Sequence, residues 1–371
     1  MSPGSTSWST EQAFLEKCDS QTADCFHRTQ WNELCRIASG LVGNLECVAL
    51  DQVASGLNNI VRVLKFSDET RWAARVHIIR SSPHDVSNTK LGNEVATMKF
   101  IKEHSELPVP RVFAYEVDEN NPVGTAFILM ELLSGSVAMD ALGGYEVHRG
   151  VIPRQHRQNF YRSVAKCHLT SLRLPKIGTI VQNREGGFEC GPLPGIGGPF
   201  DTATAFFEAW ADSVKFKWDK ATITRMMQRG PISAEQMIAT IENFPSQIKA
   251  IASRLSVCNE GPFPLAHDDF LHSNIMVDEH SFDVTGIIDW EGAFTKYDRD
   301  GQPLNEKLRE KWRQRGEYID MVKSAELKDC LLSACLSSRR SQAIAYLYGA
   351  YAGFGKLGFY DRVMAELERE V

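Results

Sequence analysis

PLAHDDFLHSNIMVDEHSFDVTGIIDWEGA, running from Pro264 to Ala293, gathers its apolar residues into two short strand-like runs, NIMVD and VTGIIDW. DEHSFD between them is rich in turn formers, so the segment predicts a β-hairpin with polar residues concentrated at its ends. Asp269 precedes the hairpin, Asn274 enters its first strand, and Asp289 leaves its second. These three can converge at one end of an antiparallel pair. One carboxylate with one amide carbonyl suits six-coordinate Mg²⁺, which keeps waters and takes its other ligands from phosphate. The remaining carboxylate, Asp269, is then available to accept a hydrogen bond from an incoming hydroxyl. Phosphoryl transfer needs that division of labour, because its loose transition state is catalysed by positioning and charge neutralisation.

Toward the N-terminus the texture is that of a sheet. CVAL, IVRVLKF and RWAARVHII, beginning at Cys47, Ile60 and Arg71, are short β-branched runs separated by SGLNN and SDET. They predict a meander of antiparallel strands. NEVATMKFIKEH, from Asn93 to His104, places Val95, Met98, Phe100 and Ile101 near helical spacing, and two extended runs follow, RVFAYEV and TAFILMELL. Ahead of the meander, Thr10 caps a helical pattern over Glu11 to Lys17, and a second helix is expected near Trp31 to Ser39. Beyond Gly135 the pattern is mostly helical, with candidates at Arg154 to Leu172, Ala203 to Trp218, Ala234 to Leu255 and Gln342 to Glu370. GGFECGPLPGIGGPF, Gly186 to Phe200, holds six glycines and three prolines but lacks the strand before and helix after that a phosphate cradle requires. An irregular surface loop is expected there. Trp210, Trp218 and Trp312, on helical segments, read as core residues.

Composition narrows the function classes. With 371 residues, 43% apolar and 24% charged, the chain has material for one large unit or two ordinary domains, each with a real core. Forty-one basic residues against 47 acidic ones leave a net charge of −6, which offers no basic field for a nucleic acid backbone. No stretch approaches the length of an apolar membrane span, and the polar Met1 to Asp19 lacks the basic and apolar regions of a secretion signal. A cytoplasmic protein with neither nucleic acid nor membrane as partner is therefore expected. Nine cysteines are scattered without a CxxC pair, which fits reduced thiols. Only Cys330 and Cys335 approach a zinc-ligand spacing, within an apolar run that looks helical.

Several of these pieces occur together in one known group. H-D-D-F-L-H-S-N at His267 to Asn274 resembles the H-x-D-x-x-x-x-N catalytic loop of the aminoglycoside phosphotransferase and choline kinase group. I-I-D-W-E at Ile287 to Glu291 resembles its metal-binding segment, and the match is especially close to fungal members of the phosphotransferase enzyme family. Trp72-Ala-Ala-Arg75 is similar to the strand carrying the phosphate-clamping cation, and Asn93-Glu94 to the helix carrying its acidic partner. Pro108-Val-Pro-Arg111 with Phe127-Ile-Leu-Met-Glu131 is similar to the approach to the nucleotide hinge. Alone, Asp289 reads as a turn cap, Glu94 as a surface acid and Arg75 as a strand-edge charge. Their order, on the expected strand, helix and hairpin, is what distinguishes the resemblance, which covers Val53 to Ala293.

The resemblance implies an α+β, protein-kinase-like two-lobed fold. A small lobe of antiparallel sheet plus helix, with an N-terminal extension, would occupy residues 1–133, and a larger, mainly helical catalytic and substrate lobe residues 134–371. It implies ATP and Mg²⁺, with Asp269 as catalytic base and Asn274 and Asp289 as metal ligands. Arg75 would touch the α- and β-phosphates and pair with Glu94, the backbone at Glu131 and Leu133 would bracket adenine, and Asn58 would lie near the phosphates. His267 would buttress the catalytic loop. Two positions depart from the pattern: Arg75 stands where Lys is usual, bringing a bulkier planar fork, and Asp268 stands where Gly is common. The expected partner is a small-molecule hydroxyl acceptor, since no D-F-G and A-P-E pair forms a platform for a protein substrate. The alternatives are a catalytically weak or inactive relative serving as a nucleotide-binding scaffold, and a metal-dependent phosphohydrolase built on the His267-Asp268 doublet. Pro262 and Pro264 oppose the helix that such a doublet needs.

Overall fold

In the computed structural model, residues 8–78, 84–144, 147, 152–168, 172–213, 216, 218–228, 232–256, 259–267, 271–290, 316–324, 332–338, 341, 343–344, 364–365 and 367–369 are described. The chain groups into two compact units: residues 1–164, 180–188 and 268–293 form the first, and residues 165–179, 189–267 and 294–371 the second.

The first unit begins with three short helices, α1 (Glu11–Leu15), α2 (Ser20–Arg28) and α3 (Trp31–Leu41). Thr10 caps α1 by accepting from the Ala13 N–H, and Asp19 caps α2 by accepting from the Thr22 N–H at 2.9 Å. Helix α2 lies in a polar stretch, SQTADCFHR, where only Cys25 and Phe26 are apolar and buried. Its apolar periodicity is too thin to announce a helix, and the cap at Asp19 is the readable signal.

A five-stranded sheet follows: β1 (Cys47–Ser55), β2 (Asn59–Phe66), β3 (Arg71–His77), β4 (Val112–Glu116) and β5 (Phe127–Glu131), in the spatial order β1-β2-β3-β5-β4 with every neighbour antiparallel. This is the expected meander, with α4 (His84–His104) between β3 and β4. The helix starts earlier than its apolar residues alone suggest. Strand β3 is central, and Trp72 to Val76 are all buried. Side chains alternate across a strand, and Trp72, Ala74 and Val76 join Phe14, Phe26, Trp31 and Leu34 of the N-terminal helices in one core. Ala73 and Arg75 therefore face the opposite side of the sheet. Arg62 of β2 fastens the helical cover: its guanidinium lies 5.4 Å from the Phe26 ring and 5.3 Å from that of Trp31, and donates to Leu50 O and Glu11 Oε2.

Past β5 the chain forms β6 (Ser136–Val137) and, after a one-turn 3₁₀ segment, α5 (Arg157–His168). Helical candidates in the second unit are realised as α6 (Ala203–Ser213), α7 (Lys220–Met227) and α8 (Ala234–Leu255). Phe206, Trp210, Phe244, Ile248 and Ile251 form its core, with Trp210 edge-on to Phe244 at 5.5 Å. Short strands β7 (Arg173–Leu174), β8 (Thr179–Gln182), β9 (Phe188–Gly191) and β10 (Phe263–Pro264) punctuate the chain, with β7 and β10 antiparallel. Strand β9 departs from the irregular loop expected over Gly186 to Phe200: the flanking glycines hide a short extended run. Phe188 packs edge-on to Phe100 of α4 at 5.5 Å. Strands β11 (Ile275–Val277) and β12 (Val284–Ile287) are the expected hairpin, and α9 (Leu332–Ser337) follows. The candidate helix from Gln342 to Glu370 and the Cys330/Cys335 pair lie largely outside the described residues. Among the described residues no helix is long and apolar enough to cross a membrane.

Candidate active site

The hairpin fixes the first half of the site. Ile275 pairs with Ile287 and Met276 with Gly286, with a bulge before Val277 opposite Val284. Extending that register, the Ile288 N–H donates to Asn274 O at 3.0 Å, so Asn274 and Ile288 are cross-strand partners and Asp289 is the next residue out. The two metal-ligand candidates thus share one end of the hairpin. Asn274 is buried and Asp289 partly buried. Asp289 has φ of 62°, in the left-handed region, so the chain turns abruptly as it leaves β12. A non-glycine residue there is uncommon and strained, and such strain gathers at functional sites. Trp290 is buried just beyond, its Nε1–H donating to Ile287 O at 3.1 Å. At the far end, Asp278 Oδ1 accepts from the His280 and Ser281 N–H groups, which closes the turn and holds the Asp278 carboxyl below its ordinary pKa, the Ser281 bond contributing most.

The second half lies on the sheet. Arg75, on the face of β3 opposite the N-terminal helices, is 7% exposed, and Glu94 of α4 is 2% exposed. One guanidinium nitrogen donates to Glu94 Oε1 at 2.6 Å and the other to Oε2. This is a buried fork-to-carboxylate pair, a geometry that Lys cannot reproduce. The family resemblance implies Arg75 and Glu94 as partners, and the structure brings them together.

Strand β5 and the chain on either side of it tie the halves. Glu131, ending β5, pairs with Trp72 of the strand that carries Arg75; its N–H donates to Arg111 O at 2.8 Å, and its carboxylate accepts from the Arg111 N–H at 3.1 Å. Lys102 of α4 reaches the same carboxylate at 3.5 Å and Val109 O at 2.9 Å. Two residues on, Leu133 covers Gly286 of β12 so closely that a Cβ on Gly286 would collide with Leu133 Cδ1. Thr285 Oγ1 donates to Ser134 O at 2.7 Å, β6 pairs with β11, and Pro108 O accepts from the Ile287 N–H at 2.8 Å. Asn58 sits half-buried in the turn between β1 and β2, where its carbonyl accepts from the Ile78 N–H at 2.7 Å. That turn borders the strand of Arg75. Asp269 and Asp268 lie outside the described residues, whereas His267 is described and buried.

Sequence reasoning missed the tethers at Pro108, Thr285 and Lys102. Gly286 was the available signal, since a glycine inside a β-branched run marks a close approach. The left-handed Asp289 carried no signal at all.

Residues 52–296, about two-thirds of the chain, match the family described as "Phosphotransferase enzyme family". The chain belongs to that family. This phosphotransferase is 36% identical over 89 residues to a subtelomeric hrmA-associated cluster protein of Aspergillus fumigatus, a match covering 24% of this chain and 17% of that relative. It is 23% identical over 208 residues to clavilactone A biosynthesis cluster protein Y of Ampulloclitocybe clavipes, covering 55% of this chain and 49% of the other. Among solved structures, a thermostable mutant of aminoglycoside phosphotransferase APH(4)-Ia in ternary complex with ADP and hygromycin B is 14% identical, with a TM-score of 0.47 over 91% of this chain and 98% of that one.

The donor set at the hairpin end fits Mg²⁺. It offers hard oxygen atoms from one carboxylate and one amide, and Mg²⁺ is commonly held by one or two carboxylates with phosphate oxygens and water completing the octahedron. Among the described residues no group of three or more His, Cys, Asp or Glu forms a cage for a softer metal.

Proposed function

We propose that this phosphotransferase moves the γ-phosphoryl group of ATP onto a hydroxyl of a small molecule, with Mg²⁺ held by Asn274 and Asp289. The observation that carries the reading is the register of the β11–β12 hairpin, which brings Asn274 and Asp289 to one end while Ile287 is tethered to Pro108, in the segment that leads into β4. Bound Mg²⁺ would neutralise phosphate charge. Asp289 and Asn274 would orient the metal. Arg75, immobilised by Glu94, would hold the α- and β-phosphates by its position on β3, and Glu94 would fix the direction of the guanidinium. The Asn58 turn would lie over the phosphates, and the backbone at Glu131 and Leu133 would bracket the base. Asp269 would accept the hydrogen bond of the attacking hydroxyl and take its proton as the bond from that oxygen to the γ-phosphorus forms and the bond from the γ-phosphorus to the β,γ-bridging oxygen breaks, releasing ADP. Nucleotide chemistry is thereby assigned to residues 1–133 and the hairpin, and acceptor recognition to the remainder of residues 134–371.

Ligand binding stabilises the native state by RT ln(1 + [L]/Kd), about 2.7 kcal/mol at a hundredfold excess over Kd. Mg·ATP should therefore raise the melting temperature of the wild type, and Asp289→Asn should lose the metal-dependent part of that rise. No shift with or without Mg²⁺ refutes nucleotide binding. ADP release across a panel of amino sugars, amino alcohols and hydroxylated metabolites, with Asp269→Ala as control, tests catalysis; equal turnover in the control removes Asp269 from the mechanism. Nucleotide binding without turnover on any acceptor supports the scaffold alternative.

A further inference from the structure

An aromatic stack runs from the catalytic loop to the far turn of the hairpin. The His272 ring, two residues before Asn274, meets the Phe160 ring of α5 edge-on at 5.5 Å and 77°. Phe160 meets Phe282 edge-on at 6.4 Å and 71°, and Phe282 is stacked on His156 at 4.7 Å and 16°. Phe160 and Phe282 are buried, while His272 and His156 are only partly so.

Phe282 is the unexpected member. Its φ is 61°, in the left-handed region where Gly or Asn sits with least strain and a bulky side chain is an outlier. Its N–H donates to Asp278 O at 2.8 Å, a turn bond that any residue other than Pro would make. What the position gains from Phe is the ring between Phe160 and His156. At the other end, the His272 carbonyl accepts from the Met139 N–H at 3.1 Å, and the Asn274 N–H donates to Leu271 O at 2.9 Å. The backbone on either side of His272 is hydrogen-bonded to Met139 and Leu271, and the ring contact with Phe160 is a side-chain brace beside those bonds.

We propose that His272, Phe160 and Phe282 are positioning residues, whose stack sets the loop from which Asn274 reaches the metal. The inference rests on the reading of Asn274 as a Mg²⁺ ligand. Amide exchange and nucleotide-dependent stabilisation test its two parts separately. His272→Ala and Phe160→Leu should each raise exchange at the Met139 and Asn274 amides about tenfold or more, with β3 and β5 unchanged, as expected for a local opening. Both should also raise the Mg²⁺ concentration needed for half-maximal stabilisation by ATP. His272→Phe, which keeps an aromatic edge, should restore both. Unchanged loop exchange, or exchange raised equally in β3 and β5, overturns the brace; raised exchange with an unchanged Mg²⁺ requirement overturns the positioning role. If the wild type shows no Mg²⁺-dependent stabilisation by ATP, the assignment of Asn274 fails and the positioning role with it. The exchange data then still report whether the stack orders the loop.

Discussion

Removing one member of the Arg75–Glu94 pair deprives the other of its fork partner at 7% or 2% exposure. Breaking a buried pair from one side typically destabilises by about 3–5 kcal/mol, whereas replacing both members with apolar residues is often close to neutral. Glu94→Leu and Arg75→Met should each fall in that range, a large share of the roughly 5–15 kcal/mol by which domains are stable. The double variant Arg75→Met/Glu94→Leu should lie within about 1–2 kcal/mol of wild type, so the coupling energy should be several kcal/mol and opposite in sign to the single losses. Arg75→Lys keeps the charge but surrenders one of two fork bonds, a loss of about 1.5–3 kcal/mol. Urea midpoints for the four proteins of the cycle, with the Lys variant beside them, give these values. The double variant should remain folded and lose stabilisation by Mg·ATP, which separates the pair's structural role from its nucleotide role. Single losses below about 1 kcal/mol, the range of exposed pairs, or a double variant equal to the sum of the singles, would refute the description of the pair as buried and interdependent.

Gly135→Ala should destabilise by about 1–3 kcal/mol, because its φ is 94° and its new Cβ meets the Val277 carbonyl oxygen, a backbone atom that cannot swing aside; an unchanged melting temperature contradicts the close approach. Asp278 has its folded pKa lowered by the Ser281 and His280 N–H groups, so its contribution is present above the unfolded Asp range and is lost as pH falls through the lower folded value. Stability of Asp278→Asn relative to wild type, followed downward from neutral pH, should converge with it in acid; a constant difference argues against the turn bonds. Burial pushes the Cys47 thiol up to about 12 and Cys167 to about 11. At pH 8 these thiols should react with a disulfide reagent at least about a hundredfold more slowly in the native protein than after unfolding, because the thiolate is the nucleophile; rapid native labelling at either position contradicts their placement.

Much of the site was legible because it depends on local patterns. NIMVD and VTGIIDW are two extended runs around a polar turn, and pairing them antiparallel is enough to bring Asn274 and Asp289 to one end. The meander from Cys47 was legible for the same reason. Partnership of Arg75 with Glu94 came from family likeness, and its burial did not: RWAARVH reads as a strand with an exposed arginine until the N-terminal helices take one face and α4 the other. Long-range closures such as Leu133 over Gly286 and Pro108 on Ile287 leave almost no trace, since each partner is an ordinary apolar residue or a backbone carbonyl. Helix α2 and strand β9 were obscured by composition, one by polar residues and the other by glycine and proline.

The two halves of the site are held by different physics. Arg75 and Glu94 depend on charge in a desolvated setting, where either residue without the other is worse than neither. Asn274 and Asp289 depend on backbone register, with a left-handed residue at the point where the chain leaves the sheet. Neutralising one residue of the first half alone should therefore be felt as unfolding, with loss of nucleotide binding as a second effect. At the second half the relation reverses: Asp289→Gly removes the carboxylate while its backbone still accepts the left-handed conformation, so the protein should stay folded while metal-dependent nucleotide binding disappears. The proposed metal role of Asp289 therefore rests on geometry: a carboxylate at φ 62°, one residue beyond the cross-strand partner of Asn274.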